Sequence, residues 1–408
     1  MELLDRFTRY IKIYTTSDPK SETVPTTSRQ LDLAKVLCCD LKEIGIADAR
    51  ISESGYVYGS IPATPGYEVV PALGLIAHMD TAPDFCGENV KPQIIPNYDG
   101  GTVALGESGR ELNPEMFPWL PSLKGRTLIT TDGTTLLGAD DKAGVTAIIC
   151  AAESILKENR PHGKLCIAFT PDEEVGRGPD HFDVKDFGAD FAYTVDGGPE
   201  NEVSFDNFNA AAASVKVKGF SIHPGESKNK MINAALVLYE FNSMLPAGDT
   251  PRNTDGYEGF FHLTKISGDV DSAEGQYIIR EHDKYLFEGR KKTMQHASDL
   301  LNEKYGEGTV MLTIKDQYRN MREIIEQYPF LMERADQAMI SVGVTPEHTP
   351  TRGGTDGATL SFMGLPCPNL GTGGYAFHGP FEHVTLEGME KCRDILLALV
   401  GLFAESGK

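Results

Sequence analysis

Residues 72–80 read ALGLIAHMD, and this short stretch decides the fold class. Ala72–Ala77 is a near-continuous apolar run, not an in–out alternation, so both of its faces need cover. His78 and Asp80 follow it directly. Two later runs repeat the pattern: Lys164–Thr170 (KLCIAFT) and Phe191–Val195 (FAYTV). Helical periodicity occupies 27–44 ahead of the first run and 144–157 between the first and the second. Apolar strands alternating with helices predict an α/β domain built on a mostly parallel sheet.

The pattern changes after about Asn207. Strands are predicted over 211–218, 260–267, 276–280 and 309–315, with helices over 229–245 and 283–305. The order βαββαβ is the ferredoxin-like unit. From about Asn320 the α/β pattern resumes, with a helix over 329–341, a strand over 367–370 and a closing helix over 386–404. One α/β domain, 1–207 with 320–408, therefore carries an inserted domain, 208–319. A length of 408 residues suits two domains, at roughly 100–200 residues each.

Composition excludes several classes of function. Lys and Arg number 38 against 59 Asp and Glu, a net charge of −21, and no basic tract is present. Nucleic acid and anionic membrane surfaces are thereby disfavoured as partners. The longest apolar runs, such as Ile395–Ala404, fall far short of the ~20 residues that span a bilayer. Glu2, Asp5, Arg6, Arg9 and Lys12 interrupt the first apolar residues, the pattern of an amphipathic helix and not of a signal peptide. The 7 cysteines are odd in number and contain no CxxC pair, which points to a reducing, cytoplasmic compartment.

Five segments carry chemistry: His78 and Asp80 in AHMDT, Asp140 and Asp141 in LLGADDKAG, Glu173 and Glu174 in FTPDEEVG, Asp196 in TVDGG, and His378 in GGYAFHG. Each alone has an ordinary structural reading, such as a cap, a turn or a solvated loop. Most of them close a predicted strand, however, and ligands of open α/β sheets gather beyond the carboxyl ends of the strands. Two imidazoles with three carboxylates suit Zn²⁺, Co²⁺ or Mn²⁺ better than Mg²⁺ or Ca²⁺. Adjacent Glu173 and Glu174 divide economically into one ligand and one general base. Asp80, two residues past His78, is placed to orient the imidazole.

With these residues in place, the chain resembles the M20 metallopeptidases, and among them the aminopeptidases that cleave tripeptides. The segments that carry the resemblance include NVKPQI, LITTDGTTLLGADDKAG, AFTPDEEVG, YTVDGG, HPG, YIIR, NMRE and RGGTDGATLSFMGLPCPNL, spread over essentially the whole chain. The resemblance implies a two-zinc site on an α/β domain, with an inserted lid or dimerisation domain. It implies that His78, Asp140 and Asp196 hold one metal, that Asp140 bridges, and that Glu174 and His378 complete the other. Glu173 becomes the general base, Asp80 the orienter, and Asp140–Asp141 a cis peptide. His223 resembles a residue that reaches a neighbouring subunit's site, which implies a homodimer. Arg280 and Arg352 resemble groups that bind the substrate's terminal carboxylate. Departures are local: Ala376 stands where the family has Asn, Gly371 replaces a bulkier residue, and Pro380–Phe381 replaces a more polar pair.

The expected activity is removal of the N-terminal residue of tripeptides by attack of a metal-activated water, with Glu173 as base. Alternatives are a dipeptidase or N-acyl-amino-acid amidohydrolase of the same family, a two-metal phosphoesterase, and a non-catalytic metal-binding protein. The phosphoesterase lacks Arg or Lys concentrated beside the acidic motifs. The binding protein has no use for a base.

Overall fold

A computed structural model describes residues 1–405. Its contacts divide it into two compact units: Met1–Phe205 with Glu323–Thr349 and the segment from Thr355 onward, and Asp206–Arg322 with Pro350–Gly354.

The larger unit is organised by one sheet in the order Arg50–Ile51, Val57–Ile61, Leu165–Thr170, Leu73–His78, Phe191–Val195, Asn369–Leu370, Glu202–Ser204, Glu347–His348. The four central strands are mutually parallel. They are the buried apolar runs that the sequence marks. Antiparallel pairing enters on either side, where Val57–Ile61 meets Leu165–Thr170 and Glu202–Ser204 meets Asn369–Leu370. The sheet is thus mixed, with a parallel centre. Helix Ala139–Glu158 is buried along most of its length, and Leu386–Glu405 packs against it. Its inward residues are mostly Ala, Gly, Val and Ile, small enough to let the helix lie close to the sheet.

A second sheet was not anticipated. Gly374–Tyr375, His383–Thr385, Leu128–Thr131 and Pro92–Ile95 pair in that order, all antiparallel. These strands are two to four residues long, too short to give a clear period of two. This sheet holds both ends of the hairpin that carries His378.

The smaller unit has strand order Phe260–Gly268, Ser272–Glu281, Asn209–Lys218, Val310–Tyr318, antiparallel throughout. Helices Ala234–Ser243 and Lys284–Tyr305 complete the βαββαβ order and share one apolar core with the sheet. Ser272–Glu281 alternates buried residues with exposed or half-buried ones from end to end and outruns the expected 276–280. Ala234–Ser243 begins later than the expected 229 because Asn233 accepts the Leu236 amide as a cap, while Ile232 bridges to Phe220. Pro350–Gly354, assigned by sequence to the larger domain, groups with the smaller unit. Arg352 explains why: it donates to the carbonyls of Gly256 and Glu258 at 2.8 and 2.9 Å and to Thr254.

Candidate active site

Strand register brings the singled-out residues of the larger unit to one edge. His78 ends its strand opposite Thr170, and Val195, just before Asp196, lies opposite Leu370. Glu173 and Glu174 open a single 3-10 turn, Glu173–Val175, shortly beyond Thr170. Asp140 and Asp141 are non-helical within the first turn of Ala139–Glu158, and the peptide between them is cis. His378 lies in the loop between Gly374–Tyr375 and His383–Thr385, with φ of 62°.

Asp140 is the centre of the cluster. Its Oδ1 is 2.8 Å from His78 Nε2, and its Oδ2 is 3.2 Å from His378 Nε2. One carboxylate therefore faces two imidazoles, one oxygen to each. Asp196 Oδ1 stands 3.6 Å from His78 Nε2, and Glu174 Oε2 stands 3.0 Å from His378 Nε2. Behind His78, Nδ1 faces the Asp80 carbonyl oxygen at 3.1 Å and the Asp80 carboxylate at 3.4 Å. That carboxylate also accepts the amides of Glu173 and Glu174, at 3.0 and 3.2 Å. With both amides on one anion, consecutive side chains of the turn diverge. Glu174 reaches His378, while the Glu173 carboxylate takes no hydrogen bond among the described residues.

Crowding of carboxylates sets the electrostatics. Burial, then the Asp140 charge, pushes Glu174 up to about 8. Burial and Asp196 push Glu173 well above the usual range, against the pull of His78. At Asp140 burial is outweighed by hydrogen bonds from His378 and His78, which hold its carboxyl low. The bonds that the His378 ring donates to Asp140 and Glu174 push it up to about 11.

The donor set fits divalent cations. Ligand atoms of His78, Asp140 and Glu174 lie within 4.8 Å of one another, as do those of His78, Asp141 and Asp196. Glu174 Oε1 is buried and has no hydrogen-bond partner among the described residues. Asp141 is near enough to ligate, but its oxygens accept the amides of His78 and Gly144, both at 3.1 Å. Asp140 keeps one oxygen toward each imidazole. Imidazole nitrogens with carboxylate oxygens at this spacing match the preferences of zinc, cobalt and manganese.

Three expected substrate groups belong to the smaller unit. His223 is exposed and uses Nδ1 to accept the Gly225 amide at 3.2 Å, leaving Nε2 for other partners. Arg280 donates from Nη1 to Ala211, Ile279 and Gln317, and no carboxylate among the described residues pairs with it. Arg352, expected to meet a substrate carboxylate, already spends its guanidinium fork on the chain's own oxygens, stacked over Phe208 and Phe260.

Several supporting residues escaped the sequence reading. Asn369 donates to the Asp196 carbonyl at 2.7 Å. Asp172 accepts from Thr26 and Gln30 and so ties the Glu173–Glu174 turn to the N-terminal segment. Lys142, 1% exposed, donates to the Ile13 carbonyl, and burial lowers it to about 7. Glu382, four residues past His378, grips the Asp140 loop with its carboxylate. The departures also find reasons. A Cβ on Gly371 would stand 1.8 Å from the Pro199 carbonyl oxygen, and Phe381 packs on Phe117 beside Trp119.

Comparison with known proteins identifies the family. The chain is 51% identical over 404 residues to Peptidase T of Clostridium perfringens (strain 13 / Type A), covering 98% of each chain. It resembles the crystal structure of aminopeptidase PepT from Bacillus cereus ATCC 10987, with a TM-score of 0.79, 22% identity and 98% coverage of both chains. A Bacillus subtilis protein described as a dinuclear metal binding peptidase from the M20 family matches with a TM-score of 0.64 at 14% identity, over 99% of this chain and 98% of that one. The family model for peptidase family M20/M25/M40 matches residues 131–401. With Asp140, Glu173, Glu174, Asp196 and His378 all inside that span, the chain belongs to peptidase family M20/M25/M40.

Proposed function

We propose that this peptide-bond hydrolase is a two-metal aminopeptidase that releases the N-terminal residue of tripeptides. The observation that carries the reading is the Asp140 carboxylate shared between His78 Nε2 and His378 Nε2. His78, Asp140 and Asp196 would hold one cation, and Asp140, Glu174 and His378 the other, with zinc preferred and cobalt or manganese as substitutes. Bound there, such a pair polarises a carbonyl and acidifies a water.

The chain's own residues do the rest. Glu173 has an uncommitted carboxylate with raised proton affinity, suited to take a proton from water and deliver it to the departing amine. Asp80 holds His78 and both glutamate amides in one geometry. His223 Nε2 is assigned to the developing oxyanion, as a residue reaching a partner subunit. Arg280 is assigned to the C-terminal carboxylate of the substrate. Arg352 retains a supporting role in the Thr254–Glu258 loop. The edge strand Phe260–Gly268 and exposed Leu236 and Tyr239 support a homodimer through the inserted domain. No described helix is long and apolar enough to cross a membrane. The free cysteines support a cytoplasmic setting.

The test is product analysis on matched di-, tri- and tetrapeptides and on a tripeptide amide. Preferential release of the N-terminal residue from the free tripeptide is expected. A charge-assisted bond from Arg280 is worth ~1.5–3 kcal/mol, so amidation lowers kcat/KM roughly ten- to hundredfold. Equal kcat/KM for the acid and the amide contradicts the assignment of Arg280, and cleavage confined to dipeptides or N-acyl amino acids contradicts the tripeptide reading.

A further inference from the structure

We propose that Glu382 is a positioning residue, fixing the loop of His378 against the loop of Asp140 so that the cation assigned to Glu174 and His378 depends on it. This rests on the two-cation reading above.

Glu382 is 1% exposed. Its Oε2 accepts the amides of Leu137 and Gly138 at 2.6 and 2.8 Å, and its Oε1 accepts the amide of Asp140 at 3.0 Å. These are amides at the start of helix Ala139–Glu158 that the helix itself leaves without partners. One carboxylate distant in sequence thus fills a nest of backbone donors. It stands four residues after His378 on the same hairpin loop.

That loop needs an external hold. Ala376 at φ 53° and His378 at φ 62° both occupy the left-handed region, which non-glycine residues avoid. Strand pairing fixes the two ends of the hairpin, and Glu382 ties the part next to His378 to the backbone of Asp140. His78 and Asp196 do not need this tie. His78 ends a central strand, and the Asp196 backbone is held by Asn369. Loss of Glu382 should therefore loosen His378 relative to Asp140 and leave His78 and Asp196 in place.

Glutamine at this position keeps one acceptor oxygen and turns an NH₂ toward backbone donors. Aspartate keeps the charge but is one methylene too short to reach all three amides. Metal-free wild type, Glu382→Gln and Glu382→Asp are titrated with cobalt chloride, followed by visible absorption and calorimetry. Circular dichroism and the fluorescence of Trp119 check the fold. Wild type should show two binding steps. In the variants one step should weaken by ~10–100-fold while the other stays within about threefold. Equal weakening of both steps, or of neither, with two steps in wild type overturns the role of Glu382 alone. A single step in wild type overturns the two-cation reading and this proposal with it. Loss of the native fold in both variants also overturns it, by making Glu382 a residue of folding only.

Discussion

The two histidines of the site are held in opposite ways. His78 has a side chain 2% exposed, at the end of a central strand, with Asp80 behind it. His378 has a side chain 46% exposed, on a loop with two left-handed residues, and its immediate surroundings come from distant parts of the chain. The first is placed by regular secondary structure, the second by tertiary bracing. One half of the site is consequently rigid by construction, and the other depends on Glu382 and on the aromatic stack of Trp119, Tyr375 and His383.

The largest expected effect breaks the comparison, since it belongs to neither half. Glu173→Ala should lower kcat by ~10²–10⁴-fold while elemental analysis still finds both cations. Near-normal turnover would remove Glu173 as the base.

Next, the bracing of the second half can be read by pH. Burial lowers His383 to about 4, so it is neutral in the folded protein, accepting from Trp119 Nε1 at 3.1 Å and donating to the Phe381 carbonyl. Below the ordinary 6.5 the unfolded chain takes up a proton that the folded chain refuses, so stability falls as pH drops from there toward 4. Protonation of Nε2 also breaks the bond from Trp119, the 1 tryptophan of the chain. Its fluorescence should change with a midpoint near 4. A midpoint near 6.5 would mean that the stack is open to water.

A smaller effect sharpens the contrast directly. Unfolded by urea in chelator, His78→Ala should lose ~1–3 kcal/mol, because buried acceptors at Asp80 and Asp140 are left without their partner. His378→Ala, at a half-exposed loop position where solvent can replace its bonds to Asp140 and Glu174, should lose less than His78→Ala. Equal losses would erase the distinction between the two halves. The smallest effect lies in the loop itself. Ala376→Asn, restoring a residue that tolerates the left-handed region, should gain about 1 kcal/mol in the same measurement. A loss would show that packing at Ala376 outweighs its backbone strain.

The unequal support of the two histidines also explains what the sequence revealed. Ala72–Ala77, Lys164–Thr170 and Phe191–Val195 declare themselves as buried strands, and acids placed directly after them must meet at one edge. The βαββαβ order of the inserted unit is legible for the same reason: each element carries its own period. Leu128–Thr131, Gly374–Tyr375 and His383–Thr385 carry no such period, so the sheet that holds the His378 hairpin was invisible. Glu382, Asn369 and Asp172 act on backbone groups far along the chain, and nothing in their neighbouring residues announces those partners. Arg352 is the reverse case: the resemblance directs it at a substrate carboxylate, and its contacts with the carbonyls of Gly256 and Glu258 could not be read from its neighbours in sequence.

The central claim is that Asp140 is shared by two cations. The most direct measurement is an anomalous difference map from zinc-soaked crystals, recorded on both sides of the zinc absorption edge. The account predicts two peaks flanking the Asp140 carboxylate, one beside His78 and Asp196 and one beside Glu174 and His378. A single peak, or a pair that does not share Asp140, would contradict it.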